Sequence, residues 1–253
     1  MKIVIVGGVA AGMSAASKIR RTDPDAEIVV YEKGRFLSYG ACGLPYFVSG
    51  VNDDYRKLIA RTREQFEAAG IRTHLRHEVI RVAPERKQIL IRDLERGRVF
   101  IDTYDKLMIA VGAAPVIPKV KGTDLAGVYV LKTMEDGLAL KEAVSSPDVR
   151  DVVIVGGGYV GIETAEAMAQ LGKRVRIVEL ADRILQSFDK DITDLAEEEL
   201  RRHQVALNLG ERLEEISGGP RVEEVRTDKG RYPADLVVLA VGVRPATGFL
   251  AGS

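Results

Sequence analysis

Two uninterrupted apolar runs, each ending in glycines, are the strongest features in the pattern of hydrophobic and polar positions. Ile3-Val4-Ile5-Val6 runs into Gly7-Gly8, and Val152-Val153-Ile154-Val155 runs into Gly156-Gly157. Strands that are covered on both faces are apolar throughout, so each run predicts a buried strand of a parallel sheet. Helical sequence follows each glycine pair. We therefore expect a strand, a tight turn and a helix in each half of the chain.

Shorter elements are predicted between and after these two units. The first unit contains a strand at 2–6, a helix at 11–22 and a strand at 27–32, and the second extends from Val152 to Glu179. Further strands are expected at 71–75, 78–83, 87–93, 98–101 and 106–111, with a hairpin turn at 95–97. Helices are expected at 64–69, from Thr133 with Asp136 completing a capping box, and at 189–202.

An internal repeat relates the two halves. The segment that begins at Asp105 and ends at Pro115 matches the segment from Asp235 to Pro245, and both contain an Ala-Val-Gly sequence. Each segment lies downstream of one glycine turn. Chance similarity of two buried strands is the alternative, but the shared Asp, Gly and Pro spacing favours two copies of one plan.

The glycine turns predict binding of dinucleotides. The first is Gly7-Gly8-Val9-Ala10-Ala11-Gly12 and the second is Gly156-Gly157-Gly158-Tyr159-Val160-Gly161. Glu32 and Glu179 follow at the ends of the next strands, where a carboxylate can accept a ribose hydroxyl. One such motif alone is weak, and packing of a strand on a helix would explain it. Two copies with suitably spaced acids indicate two dinucleotides.

Glu179 also bears on the choice of cofactor. A carboxylate at this point accepts an unmodified 2′-hydroxyl and repels a 2′-phosphate, so NADH is predicted over NADPH. Arg183, close by in sequence, would weaken that preference.

Composition narrows the classes of function. The 253 residues carry 37 Lys+Arg and 37 Asp+Glu, and no charge run stands out, which gives no support for nucleic-acid binding. No apolar stretch is long enough to span a bilayer, and a single cysteine excludes an intrachain disulfide framework and fits a reducing, cytoplasmic compartment. The three histidines form no recognisable constellation, so we expect them to be solvated and predict no metal site.

Cys42 is the candidate nucleophile. It lies among small residues in Ser38-Tyr39-Gly40-Ala41-Cys42-Gly43, directly before an expected short helix, whose N-terminus favours a thiolate. With no second cysteine, it must exchange with an external group through a mixed disulfide, a persulfide or a sulfenic acid. The alternative is a small buried structural residue.

One face of the first helix is a candidate substrate site. Ser14, Lys18 and Arg21 have i, i+4, i+7 spacing and so share a face. The alternatives are a solvated basic face and a contact surface for the phosphates of a charged thiol substrate.

Together these motifs resemble the pyridine nucleotide-disulfide oxidoreductases, and within them the single-cysteine branch of coenzyme A-disulfide reductases, NADH oxidases, NADH peroxidases and polysulfide or persulfide reductases. The resemblance rests on the two glycine turns, the segment from Ser38 to Tyr46, and Ala240-Val241-Gly242-Val243-Arg244-Pro245. It implies an α/β fold of two Rossmann-like domains of the glutathione reductase type. An incomplete FAD-binding domain would occupy 1–112, an NAD(P)H-binding domain 113–245, and 246–253 would begin the return to the FAD domain.

The resemblance also assigns residues to the cofactors FAD and NADH or NADPH. Besides Glu32, the FAD site would contain Gly7, Gly8, Ala11, Gly12, Lys33, Val79, Ala110 and Gly112. The nicotinamide cofactor would contact Gly156, Gly158, Tyr159, Val160, Gly161, Glu163, Glu179, Phe188 and Gly242, with Tyr159 as a cover for the flavin. Coenzyme A would contact Ser14, Lys18, Arg21 and Ser38.

The implied activity passes electrons from NAD(P)H through flavin to Cys42, which reduces coenzyme A disulfide or a persulfide. An NADH oxidase that uses O₂ through a cysteine sulfenic acid is one alternative, and an electron-transfer reductase with a structural cysteine is another. Ala41 replaces the Asn common in the coenzyme A reductases, and Ala10 replaces the His of the peroxidases. Family chains are longer and form homodimers through a C-terminal domain, so we expect this chain to be a fragment with an incomplete FAD site.

Overall fold

The computed structural model describes residues 1–251, which form an α/β structure of short strands and six helices. In chain order the helices are α1 Ala10–Thr22, α2 Leu44–Ser49, α3 Arg63–Ala68, α4 Met134–Val144, α5 Tyr159–Gln170 and α6 Lys190–Arg202. The first strands are β1 Lys2–Val6, β2 Glu27–Tyr31, β3 Ile71–His74, β4 His77–Ala83, β5 Gln88–Asp93, β6 Val99–Thr103, β7 Lys106–Ile109, β8 Ala113–Pro115 and β9 Val128–Tyr129. The remaining strands are β10 Asp151–Val155, β11 Arg174–Val178, β12 Ala206–Asn208, β13 Leu213–Ser217, β14 Glu224–Thr227, β15 Arg231–Pro233, β16 Leu236–Leu239 and β17 Val243–Pro245.

The chain divides into two compact units. The first contains Met1–Ala41, Tyr55–Ala114 and the described residues from Pro245 on. The second contains Cys42–Asp54 and Pro115–Arg244, so the cysteine segment groups with the second glycine turn. The functional domains predicted at 1–112, 113–245 and 246–253 stay a prediction, and residues 252 and 253 of the last lie outside the described part.

A four-stranded parallel sheet in the order β3-β2-β1-β7 forms the centre of the first unit. Ile3 and Ile5 pack on one face with α1, whereas Val4 and Val6 pack on the other face with the antiparallel sheet β4-β5-β6. Burial on both faces explains why the run is apolar without alternation. The predicted hairpin between β5 and β6 is confirmed, with Gly97 in the left-handed region at its turn.

The second unit repeats this plan. Its parallel sheet has the order β12-β11-β10-β16-β9, and the antiparallel sheet β13-β14-β15 packs over one face. The two aspartates of the sequence repeat have the same role, because each accepts a backbone N–H at the start of the strand that leads into a glycine turn. Lys2 donates to Asp105 at 2.6 Å, and Asp151 donates to Asp235 at 2.8 Å.

Several local predictions are confirmed and one is wrong. The capping box of Thr133 and Asp136 starts α4 as expected, and α6 is amphipathic, with Thr193, Glu197 and Leu200 buried. The histidines were expected to be solvated, but only His203 is exposed. His74 and His77 are half-buried beside Tyr31, because β3 and β4 direct them toward its ring.

Candidate cofactor and thiol sites

The first glycine turn is held by backbone contacts that only glycine permits. Gly7 has a φ of +104°, and a Cβ added there would lie 2.2 Å from the carbonyl oxygen of Ala110. A Cβ added to Gly12 would lie 1.8 Å from the carbonyl oxygen of Gly7. The fingerprint therefore sets a close approach of strand, turn and helix.

Glu32 bonds to the same turn. One of its carboxylate oxygens accepts the backbone N–H of Gly8 at 2.6 Å, and the other accepts that of Gly34 at 2.7 Å. The side chain is buried at 8 % exposure. The acid, which was predicted to accept a ribose hydroxyl, thus also stabilises the backbone of the turn.

The second turn has equivalent backbone contacts. Gly156 has a φ of +112°, and an added Cβ would lie 2.4 Å from the carbonyl oxygen of Ala240. One added to Gly161 would lie 2.0 Å from the Gly156 oxygen. Glu179 accepts the N–H of Gly157 at 2.5 Å and that of Ala181 at 2.8 Å. The two glycine turns therefore share their hydrogen-bond pattern as well as their sequence pattern.

Both turns leave a helix N-terminus without a side-chain cap. Val9 precedes α1 and Gly158 precedes α5, and neither makes a side-chain cap hydrogen bond. A Cβ added at Gly158 would meet nothing within 4 Å. Uncapped N–H groups beside open space fit the pyrophosphate of a dinucleotide, which accepts hydrogen bonds and carries negative charge. The residues present thus suit the cofactors that the sequence predicts.

A cleft of about 530 Å³ lies along the second turn. Four of the predicted nicotinamide-site residues line it: Gly156, Gly158, Glu179 and Gly242. Arg183 lies in the same cleft, where its guanidinium donates to the backbone oxygen of Gln186 at 3.4 Å. Glu211 and Arg212 also line the cleft, so two acidic and two arginine residues surround the same space.

The other predicted nicotinamide-site residues lie on or beside α5. Tyr159 and Phe188 form an edge-to-face pair with ring centroids 5.9 Å apart, and both are exposed, at 59 % and 40 %. Val160 is exposed beside them, Glu163 is half-buried on the helix, and Gly161 is buried behind the turn.

Leu213 is a cleft residue that the sequence reasoning missed. It lies at a register shift between β13 and β14, and Val79 lies at a register shift between β4 and β5. Two residues before each, a backbone N–H bonds to the carbonyl of the acid: His77 to Glu32, and Glu211 to Glu179. Leu213 is therefore the structural counterpart of Val79, but the two residues lie at different sequence distances from their acids, so no sequence spacing would have found it.

The remaining predicted FAD-site residues surround the first turn in different ways. Lys33 is exposed next to Glu32, and Val79 is buried in the core. Ala110 presents its carbonyl to Gly7, Gly112 has a φ of +63°, and Ala11 is exposed on the first turn of α1.

The predicted substrate residues share a free surface of α1. Ser14, Lys18 and Arg21 are all exposed, whereas Met13 and Ala16 face the core. Ser38 is half-buried with a φ of +49°, and its N–H bonds to the carbonyl of Gly8. The helix thus carries two positive charges on its outer face.

Cys42 is exposed in a 3₁₀ turn, Ala41–Gly43, that leads directly into α2. Leu44, Phe47 and Val48 bury the inner face of this short helix, which packs against α4 and α5. Exposure excludes the alternative of a buried structural cysteine.

Within residues 1–251 no helix is long and apolar enough to cross a membrane. The same residues contain no group of three or more His, Cys, Asp or Glu side chains that could hold a metal ion.

Comparison with known proteins gives one family. The family model described as pyridine nucleotide-disulphide oxidoreductase matches residues 1–253. An NAD(P)H sulfur oxidoreductase (CoA-dependent) of Pyrococcus abyssi is 43 % identical over 245 residues, which cover 96 % of this chain and 54 % of the relative. The chain therefore spans about half the length of the curated relatives it matches.

Two solved structures have the same fold. The NAD-dependent persulfide reductase from A. fulgidus superimposes with a TM-score of 0.93 at 33 % identity, covering 98 % of this chain and 46 % of the other. The water-forming NADH oxidase from Lactobacillus brevis bound to NADH gives 0.95 at 32 % identity, covering 100 % and 56 %. The predicted fold class of two Rossmann-like dinucleotide-binding units is confirmed.

Proposed function

The chain belongs to the pyridine nucleotide-disulphide oxidoreductase family, and on that premise we propose that it serves an NAD(P)H-dependent flavoprotein reductase that acts on a small disulfide or persulfide through Cys42. The observation that carries the proposal is the pairing of two matched glycine turns with one exposed cysteine. Two turns provide for two dinucleotides, and one thiol provides for exchange with an external sulfur compound.

The residues of the first turn would hold FAD and those of the second turn NAD(P)H. When bound, FAD supplies the two-electron chemistry that links a nicotinamide to a thiol. The chain supplies the uncapped N-termini of α1 and α5 for the pyrophosphates, and Glu32 and Glu179 for the ribose hydroxyls. We propose NADH as the better of the two nicotinamide cofactors, because Glu179 would repel a 2′-phosphate.

Cys42 would act as the nucleophile of a disulfide exchange. Its thiolate attacks one sulfur of the disulfide, forms a mixed disulfide and expels the other sulfur as a thiolate, which takes a proton from water and leaves as the first thiol. Two electrons from NAD(P)H and one proton then release the second thiol and restore the thiolate. The balance is one disulfide reduced to two thiols for each nicotinamide oxidised, and no second cysteine is needed.

A coenzyme A compound is the proposed substrate. The P. abyssi relative is named as CoA-dependent, and the exposed Lys18 and Arg21 of α1 offer positive charge to phosphate groups. Ser14 and Ser38 would donate hydrogen bonds to the same ligand.

The test is turnover of coenzyme A disulfide by the FAD-loaded protein, followed as NADH oxidation under nitrogen. Cys42→Ser should abolish disulfide reduction while NADH still reduces the flavin, and Ala41→Ser is the matched control that retains the thiol. Equal disulfide turnover in Cys42→Ser would contradict the proposal and favour an electron-transfer reductase with a structural cysteine.

An NADH oxidase is the second candidate, favoured by the likeness to the L. brevis oxidase. It would consume O₂ in place of a disulfide, with Cys42 cycling through a sulfenic acid. Oxygen uptake that matches NADH oxidation when no disulfide is present would favour the oxidase.

A further inference from the structure

Helix α4 holds the cysteine segment at two points, both within the second compact unit. The first is Gly137, which is fully covered by α2: an added Cβ would lie 2.8 Å from the Leu44 side chain. Leu44 begins α2 and lies two residues after Cys42. The glycine thus lets the start of α2 approach α4 closely.

The second point is Lys141, one turn further along α4. Its ammonium donates to the backbone carbonyl of Phe47 at 2.6 Å and lies 4.3 Å from the centre of the Phe47 ring. That carbonyl also accepts the N–H of Gly50, the left-handed residue that ends α2. A cation at the last carbonyls stabilises a helix end, and the ring adds a cation–π contact.

A helix of six residues needs such support. Isolated helices shorter than about 12 residues are marginal in water, so α2 depends on what it packs against. Leu44 and Phe47 are almost fully buried, and the half-buried Lys141 donates a hydrogen bond to the end of this short segment.

We propose that Lys141 and Gly137 are positioning residues for the reaction of Cys42: they fix α2 at its two ends and thereby fix the thiol that precedes it. The inference rests on the function proposed above, since it matters for turnover only if Cys42 reacts. It assigns a role in the thiol step to a helix that contains none of the predicted cofactor or substrate residues.

The test combines hydrogen exchange with kinetics on the FAD-loaded protein. Lys141→Met keeps an unbranched side chain against Phe47 but removes the donor. Amide exchange over 44–50 should rise about tenfold, the scale of one charge-assisted hydrogen bond. The kcat for coenzyme A disulfide should fall by about threefold or more while the KM for NADH stays unchanged. Lys141→Arg, which retains a donor, should restore most of both.

Two further variants sharpen the result. Gly137→Ala should act in the same direction, because the new methyl group displaces Leu44. Lys190→Met is the matched control: Lys190 is exposed on α6 and pairs with Asp194, so its loss should change neither readout.

The outcomes separate the two proposals. Faster exchange over 44–50 with unchanged kcat, or unchanged exchange in Lys141→Met, would overturn the positioning role while Cys42→Ser still reports on the function. Full disulfide turnover by Cys42→Ser would overturn the proposed function and the positioning role with it. In that case, a change in amide hydrogen exchange over residues 44–50 would report only on the packing of α2 against α4.

Discussion

Glu179 and Gly157 are joined by a hydrogen bond of 2.5 Å from the glycine N–H to the carboxylate, at the turn that lines the cleft of the second unit. The other carboxylate oxygen accepts from Ala181. A carboxylate has about four lone-pair sites, so two backbone bonds leave capacity for a ribose diol. One side chain can therefore stabilise the turn and select the ligand.

Glu179→Gln should weaken NADH binding more than NADPH binding. The glutamine retains one acceptor oxygen, and its amide turns a donor toward a backbone N–H, so we expect the NADH affinity to fall about tenfold. Isothermal titration with both nucleotides measures the change. Glu166→Gln is the control, since Glu166 is exposed on α5, where it accepts a hydrogen bond from Gln170. An unchanged ratio of the two affinities would exclude selection by Glu179.

Gly161 and Gly158 should respond in opposite ways to substitution. Gly161→Ala puts a methyl group 2.0 Å from the Gly156 oxygen, and we expect a loss of about 1–3 kcal/mol in the free energy of unfolding. Gly158→Ser enters open space at an N-cap position that favours serine, so stability should be retained. Its hydroxyl would occupy the helix N–H groups and weaken NADH binding. Urea unfolding and nucleotide titration of both variants check this, and unweakened binding in Gly158→Ser would place the pyrophosphate elsewhere.

Substitutions of Arg20 and Arg21, which are adjacent on α1, should have different effects: the first should lower stability, and the second should weaken substrate binding. Arg20 donates to the backbone oxygens of Ala26 and Gly70, both at 2.8 Å, whereas Arg21 is exposed. Arg20→Gln should cost about 1–3 kcal/mol of stability, because it leaves acceptors unpaired. Arg21→Gln should leave the unfolding midpoint unchanged and raise the KM for coenzyme A disulfide, most strongly at low salt. An unchanged KM in Arg21→Gln would contradict substrate binding at this face of α1 and favour the alternative of a solvated basic face.

His74 should make the protein less stable as the pH falls from 7 to 5. Burial, with the charge of His77 as the next cause, lowers the pKa of His74 below its ordinary value of about 6.5. The unfolded chain therefore binds the proton first, so this contribution is complete above the unfolded pKa and is lost as the pH falls through the folded pKa.

The test for His74 is urea unfolding at several pH values. His74→Phe keeps the stacking on Tyr31, whose ring centroid is 5.0 Å away, but removes the titrating group. The fall in stability between pH 7 and 5 should be shallower in this variant. His203→Phe is the control, since His203 is exposed on the C-terminal side of α6, and an equal fall in wild type and His74→Phe would contradict the assignment.

Local patterns were sufficient wherever the physical cause is local. The capping box at Thr133 needs only a hydroxyl and, three residues later, a side chain with an acceptor oxygen. A second box has the same pattern at Thr62 and Gln65, although it was not predicted. The glycine turns were predictable because a positive φ and a close backbone approach admit no other residue. The repeat of Asp105 and Asp235 was visible in sequence because each aspartate has the same backbone partner in its unit.

Other features of the site depend on tertiary contacts and cannot be predicted from the spacing of residues in the sequence. Leu213 became a cleft residue through a strand irregularity that matches the one at Val79, although leucine and valine carry no special sequence signal. His74 and His77 belong to no sequence motif. Only the pairing of β2 with β3 places His74 against the ring of Tyr31.

The sequence by itself determined the family and the two glycine turns, because strand burial and glycine geometry are properties of a few consecutive residues, and it showed that the chain has a single cysteine. Only the tertiary structure decided that the cysteine segment packs on α4, with Lys141 bonded to Phe47 across 94 positions of chain. A contact between residues so far apart in sequence depends on how the helices pack, and it cannot be inferred from the order of side chains along the chain.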